Sequence, residues 1–197
     1  MHLNAVTHLH RIWVATALWL CAATAPAQQP PRLDLCVACH GPQGNSTQPN
    51  IPSLAGQPRI FLENQLVLIR EGLRDIPPMK GLLDGLNDPD LIALAQYFSA
   101  QRPAPMAGAV DAPRYARGQT LANNLLCGSC HLPSYMGREQ IPRLAAQHAP
   151  FLRAVMEEYR DRPGSGRDTV MTNALRGVSN AQLDDLAHFL AHFGQQP

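Results

Sequence analysis

Two short runs of cysteine and histidine stand out in the sequence, at residues 36–40 and 127–131. Both have the form Cys-x-x-Cys-His, and together they contain every cysteine that follows residue 21. Two thiols three positions apart lie on one turn of a helix, where both can add to vinyl groups of one porphyrin, and the next histidine can give a nitrogen to the iron. The motifs therefore predict two covalently bound haems. The predicted attachment residues are Cys36, Cys39, Cys127 and Cys130, with His40 and His131 as axial iron ligands.

Two other kinds of site fit these cysteines less well. A redox Cys-x-x-Cys pair does not need the trailing histidine and occurs beside a βαβ unit, for which the sequence has no pattern. A zinc ion bound by the four cysteines has tolerable ligand spacing, but it leaves both histidines unexplained. Haem attachment is therefore the favoured interpretation.

The composition limits the class of protein. The chain has 197 residues, a formal charge of +1, 16% charged residues and only 6% aromatic residues. No basic stripe is present, so nucleic acid is not an expected partner. A low aromatic content still suffices for a haem protein, because the porphyrin is itself a large apolar element of the core.

The N-terminus has the pattern of a secretory signal. Arg11 precedes an apolar run over residues 12–23, and Ala25-Pro26-Ala27 fits the small-x-small cleavage site. The run is well short of the ~20 residues that span a bilayer, which disfavours an uncleaved anchor. We therefore predict a cleaved signal peptide over residues 1–27 and a periplasmic location, since bacterial haem attachment takes place outside the cytoplasm.

The rest of the chain is an internal repeat. Ile-Pro-Ser-Leu-Ala-Gly-Gln at residues 51–57 matches Ile-Pro-Arg-Leu-Ala-Ala-Gln at residues 141–147. The intervening residues 102–113 are rich in Pro, Ala and Gly and predict a linker. We therefore expect two domains, at residues 28–101 and 114–197. Each is small for an unaided core, and a covalent haem would supply the missing apolar bulk.

Helix is the only regular element that the sequence predicts. Apolar residues recur at helical spacing over residues 59–72, and again over residues 88–100, where Pro89 lies near the first position. Ser179 and Gln182 form a predicted capping box for a final helix. The fold class is accordingly expected to be all-α.

The repeat selects two methionines as the second axial ligands. The thioether of Met is a usual sixth ligand in electron-carrying c-type haem proteins and raises the reduction potential. Met79 and Met171 each lie eight residues before the expected N-cap of the last helix of their half. We expect both on irregular loops, next to residues 75–78 and 164–168, where the sulfur can be directed at the iron.

The remaining candidate ligands fit less well. Met156 takes the place of Leu66 in the repeat and is expected in the core. Met136 follows its motif histidine too closely to reach the opposite face of the iron, and Met106 lies in the linker. His148 is the alternative sixth ligand of the second haem.

His188 and His192 lie four residues apart on the final helix. That spacing can bind a metal ion. Because no cysteine or acidic partner is evident, we expect a solvated helix face instead.

Two prolines are candidates for orienting the motif histidines. Pro52 follows His40 by twelve residues, and Pro142 follows His131 by eleven. A backbone carbonyl at each proline is expected to accept a hydrogen bond from the histidine Nδ1 and so to fix the ring.

Taken together, these residues resemble the dihaem cytochrome c4 family, in which two class I cytochrome c domains are fused. The match is closest in the first half, at residues 36–46, residues 52–57, Met79 and residues 86–98. The resemblance implies an all-helical fold of two tandem class I cytochrome c domains, each wrapped around one haem c. It further implies that the haems face each other across a pseudo-twofold interface.

Two segments depart from the family pattern. Only residues 28–35 precede the first motif of the expected mature chain, so the N-terminal helix of the first domain is expected to be truncated. In the second domain, residues 132–139 replace the Gly-rich segment after the motif. The departures leave open whether the chain is a cytochrome c4 or a relative that serves one particular dehydrogenase.

The function implied by the resemblance is one-electron transfer, between a dehydrogenase or respiratory donor and a terminal oxidase or other acceptor. A tightly bound subunit of a dehydrogenase complex is an alternative that the sequence does not separate from a free shuttle. A dihaem enzyme is less favoured. A peroxidase of this kind is usually longer, and a thiolate-ligated sulfur-compound dehydrogenase needs a spare cysteine, which the two motifs do not leave.

The two motifs make a direct prediction about haem content. We expect two haems per chain, and acid–acetone extraction should leave the colour with the protein, because thioether bonds survive that treatment. Pyridine haemochrome absorbance against protein concentration measures the ratio. A ratio near one, or haem in the organic phase, would contradict the two-motif interpretation.

Overall fold

The structure, a computed structural model, describes residues 29–162 and 168–195, so the predicted signal peptide lies outside the described residues. No helix in this part of the chain is long and apolar enough to cross a membrane. Apart from one isolated β-bridge, its regular structure is helical, which confirms the predicted fold class. The helices are α1 (Leu33–His40), α2 (Arg59–Arg70), α3 (Asp88–Ser99), α4 (Ala112–Asn124), α5 (Cys127–His131), α6 (Ala149–Asp161), α7 (Thr169–Ala174) and α8 (Asn180–Ala191), with 3₁₀ turns at Pro42–Gly44 and Pro77–Met79.

The helices form two related halves, each with its own buried core. The first half contains α1 to α3, and its core centres on Leu91, Leu94 and Phe98 of α3. The second half contains α4 to α8, and its core centres on the buried face of α8. Each core is small, as expected for a half of fewer than about 90 residues.

The last helix of each half begins at a capping box. Asn87 accepts a hydrogen bond from the backbone N–H of Asp90, and the Asp90 side chain accepts one from the Asn87 N–H. Ser179 and Gln182 do the same for α8, as predicted. These reciprocal bonds satisfy N–H groups that have no partner inside a helix, and so they fix where each helix starts.

The N-terminal helix of the second half, α4, crosses α8 at close range. Gly118 of α4 is buried at the crossing, and a Cβ at this position would lie 2.2 Å from the Asp185 carbonyl oxygen and 2.6 Å from the Phe189 Cβ. Among the described residues of the first half, no helix precedes α1. Most of the equivalent positions of the first half lie outside the described residues, so the expected truncation of its N-terminal helix stays a prediction.

The divergent segment after the second motif follows the same backbone path as the Gly-rich segment of the first half. Gly41 and Gly44 have φ values of +77°, and the residues 91 positions later, Leu132 and Tyr135, have φ values of +68° and +53°. Left-handed backbone costs a non-glycine residue about 1–2 kcal/mol. Tyr135 is buried against Phe189, with ring centroids 5.5 Å apart, and this packing offsets the cost.

The close crossing at Gly118 predicts a steric effect of substitution. Gly118→Ala is expected to destabilise the haem-loaded protein by about 2 kcal/mol, because the added methyl must push α4 away from α8. Helix propensity alone would change stability in the opposite direction by roughly 1 kcal/mol. Urea unfolding followed by circular dichroism measures the change. Gln119→Ala, at an exposed position of the same helix, is the control, and a Gly118→Ala variant as stable as this control would contradict the crossing geometry.

Candidate haem-binding sites

The four motif cysteines lie on two short helices and are free thiols. Cys36 and Cys127 are half-buried, whereas Cys39 and Cys130 are exposed, so each pair presents one inner and one outer sulfur along a single helical turn. Burial raises the pKa of the Cys36 and Cys127 thiols. Neutral thiols are poor metal ligands. Within the described residues no cluster of three or more His, Cys, Asp or Glu side chains could hold a metal ion, so the zinc alternative is not supported.

Both motif histidines are buried and oriented as predicted. The Nδ1–H of His40 donates to the Pro52 carbonyl at 2.8 Å, and the Nδ1–H of His131 donates to the Pro142 carbonyl at 2.9 Å. Because a carbonyl can only accept, these bonds place the proton on Nδ1 and leave the Nε2 lone pair available. Among the described residues nothing is hydrogen-bonded to either Nε2.

The protonation state of these histidines also suits an iron ligand. Burial lowers the pKa of both His40 and His131, while the hydrogen bond to the proline carbonyl acts in the opposite direction. A lowered pKa keeps the imidazole neutral at pH 7, as ligation requires. Two thiols on one turn beside a neutral, oriented imidazole are the donor set of a c-type haem, and both halves contain it.

The two candidate methionines have different local structures. Met79 is half-buried at the end of the 3₁₀ turn Pro77–Met79. Met171 lies inside α7 rather than on a loop, because Asp168 caps that helix by accepting hydrogen bonds from the Val170 and Met171 N–H groups. The side chain of Met171 packs against the second core. The preceding residues 163–167, which include most of the expected loop, lie outside the described residues.

The other methionines behave as the repeat predicts. Met156 is buried in the second core. Met136 is exposed, and Met106 is half-buried in the segment between the halves. Met79 and Met171 therefore remain the predicted sixth ligands.

His148, the alternative sixth ligand, is engaged elsewhere. Its Nε2 lies 2.9 Å from the Ser46 carbonyl of the first half. Since the carbonyl must accept, this Nε2 carries a proton and its lone pair is not free to bind iron. His148 thus contributes to the contact between the halves.

The expectation of a solvated face at His188 and His192 is wrong. Both rings are buried, with centroids 4.6 Å apart, and the backbone N–H of Asp111 donates to the His188 Nε2 at 3.0 Å. Burial lowers the pKa of His188, and neighbouring His192 and Arg114 act in the same direction. The sequence around α8 could not show this, because the covering backbone comes from residues about 77 positions earlier.

Gln57 and Gln147 occupy matched positions of the repeat, as do Ser53 and Arg143, but the sequence predicted no role for any of them. In the structure they connect the two halves, and all four are buried. Arg143 donates to the carbonyls of Ala55 at 3.2 Å and of Ala145. Burial lowers the pKa of Arg143 to about 10, so the guanidinium is still charged at neutral pH. The only sequence signal for this interface was the recurrence of Gln at the end of both matched segments.

Known proteins resemble this chain over most of its length. A family model for cytochrome c matches residues 115–193. Cytochrome c4 of Azotobacter vinelandii is 33% identical over 79% of this chain and 83% of its own. A thiosulfate dehydrogenase electron acceptor of Thiomonas intermedia strain K12 is 34% identical over 91% and 84% of the two chains. The crystal structure of reduced recombinant cytochrome c4 from Pseudomonas stutzeri superposes with a TM-score of 0.75 at 30% identity, covering 82% of this chain and 94% of that one.

The assignment of the methionines can be tested by spectroscopy. Met79→Ala and Met171→Ala should each lower the iron–sulfur charge-transfer absorption of the oxidised protein by about half, because one His/Met iron is expected per half. His148→Ala is the control and should leave the band unchanged. If Met171→Ala leaves the band intact while His148→Ala alters it, the ligand of the second haem is assigned wrongly.

Proposed function

The chain belongs to the cytochrome c4 family of dihaem electron carriers, and on that premise we propose that it carries electrons in the periplasm from a dehydrogenase to a terminal oxidase or another acceptor. The similarity to a thiosulfate dehydrogenase electron acceptor, which extends over 91% of this chain, supports a dehydrogenase as the donor. The signal-like N-terminus supports export.

Each half would hold one haem through its own residues. When bound, a haem supplies an iron that changes between the ferric and ferrous states. The single observation that carries the assignment is the pair of buried imidazoles, each fixed by a proline carbonyl and each next to two thiols. The proposed ligands are Cys36, Cys39, His40 and Met79 in the first half, and Cys127, Cys130, His131 and Met171 in the second.

The environment of these ligands suits transfer rather than catalysis. The proline carbonyls hold both rings in one orientation, so little rearrangement is needed when the charge at the site changes. Met79 and Met171 would complete the ligand set of each iron, and a substrate would then find no open position there. The proposed roles of these residues are therefore to bind the haem and to orient its histidine ligand. No side chain is assigned a role in proton transfer or nucleophilic attack.

The proposal predicts fast electron exchange with a partner and little activity alone. Mixed with a purified thiosulfate dehydrogenase and thiosulfate, the oxidised protein should accept two electrons per chain, measured by stopped-flow absorbance. Without the dehydrogenase, neither thiosulfate nor hydrogen peroxide should be turned over. Turnover by the protein alone at ~1–10³ per second, the ordinary enzyme range, would contradict the carrier proposal.

The Met79→Ala variant is a positive control for the expected absence of peroxide turnover. Met79→Ala should open one axial position and raise peroxide turnover above that of the unsubstituted protein, which shows that the assay detects an open haem. Size-exclusion chromatography of the same mixture separates the two modes of action. Co-elution with the dehydrogenase at micromolar concentration would favour a fixed subunit, and separate elution would favour a shuttle.

A further inference from the structure

Two glutamines connect the halves in a reciprocal way. Gln147 of the second half accepts from the Ser53 N–H at 2.9 Å and donates to the Ser53 carbonyl at 3.0 Å. Gln57 of the first half accepts from the Arg143 N–H at 2.9 Å and donates to the Arg143 carbonyl at 3.1 Å. We call these two pairs of hydrogen bonds the glutamine bridges. Each bridge satisfies both backbone groups of one residue in the opposite half.

The bridged residues directly follow the prolines that hold the motif histidines. The Pro52 carbonyl, which accepts from His40, and the Ser53 N–H, which donates to Gln147, belong to the same peptide group. The equivalent peptide group, between Pro142 and Arg143, joins His131 to Gln57 in the same way. A continuous series of hydrogen bonds therefore links each motif histidine to a glutamine of the other half.

We propose that Gln57 and Gln147 are positioning residues that tune the axial histidine of the opposite half through these peptide groups. A peptide whose N–H donates to a good acceptor carries more negative charge on its carbonyl oxygen, so the next hydrogen bond in the series is strengthened. A stronger acceptor at the proline draws the Nδ1 proton further from the imidazole and makes the ring a more basic ligand. A more basic ligand stabilises ferric iron and lowers the reduction potential.

The surroundings favour this effect over a purely structural one. Both glutamines and both bridged residues are at most 4% exposed, and hydrogen bonds polarise one another most strongly in such a low-dielectric interior. The contact between His148 and the Ser46 carbonyl also joins the halves, yet it involves neither of the two peptide groups. The inference rests on the proposed ligation of iron by His40 and His131.

The test replaces each glutamine by methionine, which has a similar shape but forms no comparable hydrogen bond. In the ferrous, diamagnetic protein, the Nδ1–H proton resonance reports the strength of the bond to the proline carbonyl. Gln147→Met should shift the His40 Nδ1–H resonance upfield and leave that of His131 in place. Gln57→Met should do the reverse.

Potentiometric titration should show the same crossed pattern. Gln147→Met should favour ferrous iron at the first haem by about two- to threefold, which is ~18–28 mV at 59 mV per tenfold. Gln57→Met should act on the second haem. His148→Leu, which removes one contact between the halves, should give no such haem-specific shift.

Each other outcome has a defined meaning. Equal shifts at both haems in both variants, or a shift at the haem of the substituted half, would overturn the proposal and leave the glutamines as ordinary interface contacts. If a methionine variant does not fold, the asparagine variant, shorter by one methylene, replaces it and must show the same crossed pattern. In the unsubstituted protein, absence of the ring-current shifts of iron-bound His40 and His131 would refute the ligation itself, whereas normal ligation without crossed effects would refute only the tuning.

Discussion

Each half of the protein depends on one partly buried hydrogen bond, from the Nδ1 of a motif histidine to a proline carbonyl. An unpaired carbonyl in such a place would cost about 1–3 kcal/mol, so the loop between histidine and proline must return to the same point in both halves. In each half, the backbone after the proline is hydrogen-bonded to the last helix of that half. The Gly56 N–H donates to the Phe98 carbonyl at 2.9 Å, and the Ala146 N–H donates to the Leu190 carbonyl at 3.2 Å. The last helix, the loop and the imidazole thus form one unit.

This requirement explains why the segments directly after the two motifs share a backbone path although their sequences differ. Both loops have a positive φ at two matched positions, where glycine is the cheapest residue. The second half has Leu132 and Tyr135 instead, and Tyr135 compensates through ring packing in a larger core that also includes the α4 crossing at Gly118. The conformational cost of replacing glycine is thus offset by the packing of Tyr135 in the core. A local sequence pattern does not show such packing.

The sequence predicted best those features that depend on residues close together in the chain. The Cys-x-x-Cys-His motifs, the capping box at Ser179 and the apolar helical faces depend on neighbours within a few residues, so their patterns were sufficient. The proline carbonyls were also found, because the repeat placed them at matched distances from both histidines. The short helix around Met171 was missed although its signal is local, since the Asp168 cap lies only three positions before Met171. The burial of His188 was missed because it depends on the Asp111 backbone from across the fold. The glutamine bridges were missed for the same reason, since they join residues 86 and 94 positions apart.

The interface between the halves shows where the duplicated units have specialised. At the bridged position the first half has Ser53, whose Oγ accepts from the Ser46 N–H within its own half. The second half has Arg143, whose guanidinium donates to the Ala55 carbonyl of the other half and to the Ala145 carbonyl of its own. Burial of this charge costs free energy, because a separated half would expose the guanidinium to water, and the two carbonyl dipoles offset part of that cost while the halves are docked. The Arg143 side chain therefore needs a docked geometry in which both carbonyls accept from it, a requirement that serine does not impose. The two glutamine bridges obey the pseudo-symmetry, but the charge does not, since among the described residues the buried guanidinium of this interface comes from the second half alone.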